Sequence, residues 1–134
     1  MTTGGKLLVH TDVLFGYLCH AGVAEHPLRR AMRNYFCYTT VFNAIELFAL
    51  AETDEEKAAV ERVFSSMKLL GLNAKHAPAY AGRLRDASRS SRNAHTINGL
   101  IACMSVDSGV PILTSRPFDF EGISGVELIA PDDI

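Results

Sequence analysis

The stretch "KLLVHTD", Lys6 to Asp12, most constrains what this chain can fold into. It is a short, nearly continuous apolar run that stops at an acid and passes directly into a helical pattern, "VLFGYLCHAGV". A strand apolar on both sides has no solvent face, so it belongs inside a parallel sheet covered by helices above and below. The rest of the chain repeats this alternation. A short helix is expected over Pro27 to Asn34, and "YFCYTT" reads as a second strand, with Thr39 or Thr40 placed to cap the helix that follows. "TDEE", Thr53 to Glu56, is a capping box that opens a helix running to about Leu69, and "LLGLN" holds a short strand or a turn. "APAYAGRLRDASRSS" and "HTINGLIACMSVDSG" are two more helices, the second closed by Gly109; "VPILTS" and "GVELIA" are late strands. The pattern predicts one α/β domain over residues 1–134, with a parallel sheet of about four or five strands.

Composition narrows the class further. Of 134 residues, 48% are apolar and 21% charged, which is globular and excludes a disordered chain. The formal net charge of −2 provides no global basic field, so any nucleic-acid contact rests on a local patch. No apolar run reaches about 18 residues, and the start lacks the pattern of a secretory signal; both point to a cytoplasmic protein without membrane contact. Cys19, Cys37 and Cys103 are odd in number, widely spaced and set among apolar residues, and so read as reduced core thiols.

"VFNAIELFAL", Val41 to Leu50, places one carboxylate, Glu46, in an otherwise apolar run. On a helix Phe42, Ile45, Glu46 and Ala49 share a face, where a lone ionised carboxylate is costly unless something polar meets it. Ligands of parallel sheets bind beyond the carboxyl ends of the strands. Asp12 ends the first strand and "TSRPFDF" follows the fourth, so Thr11, Asp12, Thr114, Ser115, Arg116 and Asp119 are candidates to line one crevice.

These pieces together resemble the PIN domain, in particular the small single-domain VapC-type ribonuclease toxins of bacterial and archaeal toxin–antitoxin pairs. "LLVHTDVLFGYL" resembles the opening strand–Asp–Val–Leu, and "TTVFNAIELFAL" the Thr–x–x–x–x–x–Glu–Leu helix. "APAYAGRLRDASRSSR" resembles the middle helix, and "INGLIACMSVDSGVPILTSRPFDFEGISGVELI" the closing helix, strand and acid–Phe loop. The resemblance implies a three-layer α/β/α sandwich and an acidic site that holds Mg²⁺ or Mn²⁺ for hydrolysis of RNA phosphodiesters. It implies that Asp12, Glu46 and Asp119 hold the metal, with Asn98 where a further acid usually stands, and that all four form the catalytic set. Thr114 stands at a supporting position, and Arg116 where Asn or Asp is usual. A cognate antitoxin and a homodimer are implied as partners.

Hard dications take oxygen ligands and relieve the repulsion among clustered carboxylates, so the three acids are expected to converge to a metal-sized cluster beside Asn98. Arg116 can pair with Asp119 or Asp12, or clamp a phosphate; a solvent-facing loop arginine is the plainer alternative. His95 lies one turn before Asn98 and reads as a surface or capping residue before a ligand, and Ser115 has no base to activate it. Arg85, Arg89 and Arg92, with Arg83 nearby, form a basic helical stripe that suits weak RNA contact as well as plain solvation. Phe42, Phe48, Phe64 and Tyr80 fall at core spacing. Two other readings stand beside the nuclease. One keeps the fold but binds RNA or a protein without cleavage, favoured by Asn98 and Arg116. The other, a phosphoacceptor receiver, fails because its mid-chain Asp54 lies in a capping box and the last lysine is Lys75.

Overall fold

The structure is a computed structural model that describes residues 5–20, 25–90 and 96–134. Its centre is strand β1, Gly5–Val9, in which Leu7, Leu8 and Val9 are wholly buried. On one side β1 pairs in parallel with β2, Tyr35–Thr40, and β2 with β3, Lys68–Leu70. On the other it pairs with β4, Ile112–Leu113, and β4 with β5, Leu128–Ile129. The order is β3-β2-β1-β4-β5, every pair parallel.

Among the described residues six helices supply the crossovers and cover both faces of the sheet. Helices α1 (Thr11–Cys19) and α2 (Pro27–Asn34) lie between β1 and β2 in the chain; α3 (Val41–Leu50) and α4 (Asp54–Ser65) lie between β2 and β3; α5 (Ala77–Ser90) and α6 (Thr96–Ser108) precede β4. Leu7 and Val9 face a core built with Val13 and Leu14 of α1, Leu28 of α2, Leu47 of α3 and Val60 of α4. Leu8 faces the opposite core, with Tyr80 of α5 and Ile101, Ala102 and Met104 of α6. The alternation along β1 therefore divides the molecule into three layers, as the apolar run predicts. Each fully buried Leu or Val contributes about 1.5–3 kcal/mol relative to exposure, so these three residues help tie the layers together.

Local chemistry sets the helix ends. Thr40 caps α3 by accepting from the backbone N–H of Asn43, and Thr53 with Glu56 forms the expected capping box on α4. Proline at its first position and His26 as cap start α2; Gly109, at φ 67°, follows α6. Three expectations need correction. Helix α4 stops at Ser65, short of Leu69, because Lys68–Leu70 leaves to pair with β2. Cys103 is buried and Cys37 half-buried, but Cys19 is exposed near the end of α1. Phe48 is an exposed residue that stacks on half-buried Phe64 with ring centroids 6.3 Å apart, whereas Tyr80 is in the core. Among the described residues no helix is long and apolar enough to cross a membrane.

After β4 the chain makes a short 3-10 turn, Pro117–Phe120, anchored by buried Phe120. Gly122 then adopts φ 95°, and a Cβ there would lie 3.2–3.3 Å from Ala87 of α5, including its backbone. Both the left-handed backbone and the close approach demand glycine. Gly122→Ala is expected to lower stability by about 1–3 kcal/mol, read from denaturant unfolding; an unchanged midpoint would show that the loop accommodates a side chain.

Candidate functional site

The carboxyl ends of β1 and β4 meet where the sheet order changes direction, and the polar residues gather there. Val9 ends β1, His10 occupies the position before the next helix without a capping hydrogen bond from its side chain, and Asp12 lies in the first turn of α1. One oxygen of Asp12 accepts from the N–H of Val13 at 2.9 Å. The other accepts from the segment after β4: the Ser115 N–H at 2.8 Å, the Ser115 hydroxyl at 2.6 Å and the Thr114 hydroxyl at 3.1 Å. Thr114 is buried and accepts in turn from the Arg116 N–H at 3.0 Å. The segment is thereby fastened to Asp12 by charge-assisted bonds.

Glu46 answers the question raised by its apolar run. Helix α3 buries Asn43 and Leu47, on a different face from the one expected; Ile45 is 59% exposed and Glu46 is exposed beside it. The carboxylate meets water and the hydroxyl of Thr11, which donates to its Oε1 at 2.9 Å, so no burial penalty arises. Asp119 is 23% exposed and takes the Nε–H of Arg116 at 3.2 Å; the arginine side chain is itself 68% exposed. Of the alternatives for Arg116, the pair with Asp119 is the one formed. Asn98 is half-buried in the first turn of α6, and Asp119 shares a narrow cleft with Thr96 and Gly99 of that turn.

His10 shows that these charges share one edge. The ring is buried and stands edge-on to Phe120, with centroids 4.7 Å apart. Burial pushes the imidazole pKa below its ordinary 6.5; Asp12, Glu46 and Asp119 pull it upward, and Arg116 pushes it down. All three acids thus act on one ring. They do not form the compact cluster expected of them: among the described residues no three His, Cys, Asp or Glu side chains group closely enough to hold a metal ion. Each carboxylate has a donor of its own instead.

No family model and no curated protein matches the chain by sequence. Solved structures do match by shape. A chain of VapBC from Salmonella typhimurium, in a DNA-bound complex, superposes with TM-score 0.79 at 16% identity, covering 95% of this chain and 98% of that one. A chain of VapBC2 from Rickettsia felis, bound to a DNA fragment from the promoter, gives 0.75 at 14% identity, covering 93% and 98%. A chain of FitAB, bound to an IR36 DNA fragment, gives 0.67 at 13% identity, with 96% of each chain covered. The fold is the one these VapBC and FitAB chains share, a PIN-like α/β/α sandwich.

Asp12, Thr114, Ser115 and Asp119 lie at one edge of this fold, as their places after the strands predict, and two residues with no such signal join them. His10 and Asn43, 33 positions apart, touch through Asn43 Nδ2 and His10 Nδ1 at 3.2 Å. The available signal was Asn43 three positions after the capping Thr40. On α5, Arg83, Arg85 and Arg89 are exposed; Arg92 and His95 lie outside the described residues.

Burial also lowers the pKa of His26, whose Nδ1 accepts the N–H of Leu28 at 3.1 Å and caps α2. A histidine whose folded pKa lies below its unfolded value contributes stability that is complete above about 6.5 and lost as pH falls toward the folded pKa. The melting temperature is therefore expected to drop between pH 7.5 and 5. It should drop less in the double variant His10→Asn, His26→Asn, where asparagine still caps α2. An equal drop in both proteins would locate the acid sensitivity elsewhere.

Proposed function

We propose that this chain is the toxin of a toxin–antitoxin pair and acts as a Mg²⁺- or Mn²⁺-dependent endoribonuclease. The observation that supports it best is geometric: at the carboxyl edge of the sheet Asp12 takes the hydroxyls of Thr114 and Ser115 from the segment after β4, while its neighbour Thr11 donates to Glu46 of α3. In kind the donors suit a hard dication, since Asp12, Glu46 and Asp119 offer only carboxylate oxygens and Asn98 adds a neutral amide oxygen, but binding would have to draw the acids together from the separate positions they hold here. Such an ion, when bound, supplies an acidified water and shields charge developing on the phosphate. The protein's own part is to hold Asp12 through Thr114 and Ser115, and to present Glu46 at the open edge. Arg85 and Arg89, exposed one turn apart on α5, suit weak contact with the RNA backbone.

Two features favour the second reading, binding without cleavage: Arg116 neutralises Asp119, and Asn98 lacks the charge of an acid. The two readings separate by experiment. Mn²⁺-dependent cleavage of single-stranded RNA is expected for the wild type and lost in Asp12→Asn prepared in parallel. Two unit charges about 4 Å apart interact by roughly 4 kcal/mol at an effective dielectric near 20. Repulsion from the neighbouring acids offsets much of that gain in Asn98→Asp, which should tighten Mn²⁺ binding by about ten- to a hundredfold. Arg116→Asn should act in the same direction by removing a competing cation, and the double variant should exceed either. Equal, weak calorimetric titrations for all four proteins would leave binding without chemistry as the better account.

The antitoxin reading is supported by an open groove of about 730 Å³ between α1, α2 and α4. Tyr17, Leu28 and Val63 line it with apolar surface; Arg29 and Arg62 supply positive charge, while Arg33 pairs with Glu25 of the same groove at 3.3 Å. That combination suits an amphipathic antitoxin segment carrying acidic residues. Separately, Val41, Ile45, Phe48 and Leu50 leave an apolar surface on α3, which supports a homodimer. Sedimentation is expected to give a dimer at micromolar concentration and a monomer for Ile45→Glu; a monomeric wild type would remove the assembly from this proposal.

A further inference from the structure

Beneath the acids runs a line of hydrogen bonds in which the neighbours assign every proton. Asn43 is wholly buried in the first turn of α3. Its Oδ1 accepts from the Thr40 backbone N–H at 3.1 Å and from the Thr40 hydroxyl at 2.6 Å. A backbone N–H only donates, so the amide cannot be turned over without setting one N–H against another. With the oxygen fixed, the two hydrogens of Nδ2 go to His10 Nδ1 at 3.2 Å and to the Thr11 hydroxyl oxygen at 2.9 Å. The His10 nitrogen that meets a donor must be bare, which puts the ring proton on Nε2. Thr11, having accepted from Asn43, directs its own hydrogen to Glu46 Oε1.

We infer that Asn43 is a positioning residue of this site: it fixes the His10 ring in its Nε2–H form and, through Thr11, aims the carboxylate of Glu46. The functional consequence rests on the nuclease reading; the proton arrangement does not. Glu46 is exposed and has a flexible side chain, so without a fixed donor its carboxylate samples many rotamers. The Thr11 hydroxyl is that donor, and its direction follows from Asn43. The same amide excludes the Nδ1–H form of His10, which would oppose two buried donors. One buried side chain thus sets a ring on the β1–α1 junction and a carboxylate on α3.

The inference is tested on the full chain by long-range ¹H–¹⁵N correlation of the imidazoles at pH 7.5. His10 should show a bare Nδ1 and a protonated Nε2; a protonated Nδ1 in the wild type overturns the assignment. Asn43→Asp replaces the donor by an acceptor of the same shape, and Nδ1 should then carry a proton. Should that variant fail to fold, the wild-type spectrum and the Thr11 variants decide alone. Thr11→Val should raise the mobility of Glu46 in side-chain ¹³C relaxation and lower Mn²⁺-dependent RNA cleavage about tenfold or more, the scale on which outer contacts tune a site. Thr11→Ser should restore both, and neither change should alter the His10 tautomer. Glu46 mobility unchanged in Thr11→Val overturns the aiming role. The expected tautomer and mobility with no cleavage by the wild type would end the nuclease reading and leave this arrangement standing. Cleavage with the opposite tautomer would do the reverse.

Discussion

The double-sided burial of β1 is the constraint from which the rest of the molecule follows. Leu7 and Val9 enter one core and Leu8 the other, so the strand cannot slip by one residue without sending all three to the wrong layer. Pinned in this register, β1 pairs with β2 on one side and β4 on the other, and the sheet grows in opposite directions from that centre. The crevice at such a point is where the ends of the two middle strands come together. His10, Thr11 and Asp12 leave β1 there, and Thr114 and Ser115 leave β4. The hydrogen bonds of Asp12 to Thr114 and Ser115 close the same junction from the polar side. Packing and chemistry thus meet at one place, held by strands and helix ends.

Electrostatics at that place is a balance of separately satisfied charges. Three carboxylates on one edge repel one another, and the structure answers with local donors: Thr114 and Ser115 for Asp12, Thr11 for Glu46, Arg116 for Asp119. These donors differ in kind. Hydroxyls leave the negative charge in place, whereas the guanidinium of Arg116 cancels one unit of it. The edge is therefore still acidic at Asp12 and Glu46 and nearly neutral at Asp119. The buried Phe120 keeps the loop in position beside His10, so the ion pair of Arg116 and Asp119 sits on a fixed support.

How much of this was legible in the sequence follows from the range of each interaction. Helix α2 and strand β2 have the expected bounds because their signals are local: proline at a helix start, a β-branched and aromatic run, a threonine cap. Asp12 and Thr114 were legible because a parallel sheet dictates where strand ends gather. The pairing of His10 with Asn43 was not, since two polar residues far apart carry no periodic signal and each has a bland local reading. The end of α4 was overestimated for a related reason. Residues Lys68–Leu70 continue an acceptable helical pattern, and only pairing with Tyr38–Thr40 makes them a strand.

Helix α3 is the instructive failure of pattern reading, because four environments act on ten residues. Asn43 and Leu47 point inward, one to the polar network and one to the core. Phe42 packs against the opposite core, so the helix lies across the end of the sheet and not flat on one face. Glu46 borders the acidic edge, while Val41, Ile45, Phe48 and Leu50 remain outside. An apolar stripe of one helical period describes a helix with a single buried side. A helix that crosses the sheet's end meets both cores, the site and the outside at once, so apolar residues surround it. The carboxylate that looked misplaced in that run marks the one direction in which α3 meets the polar edge.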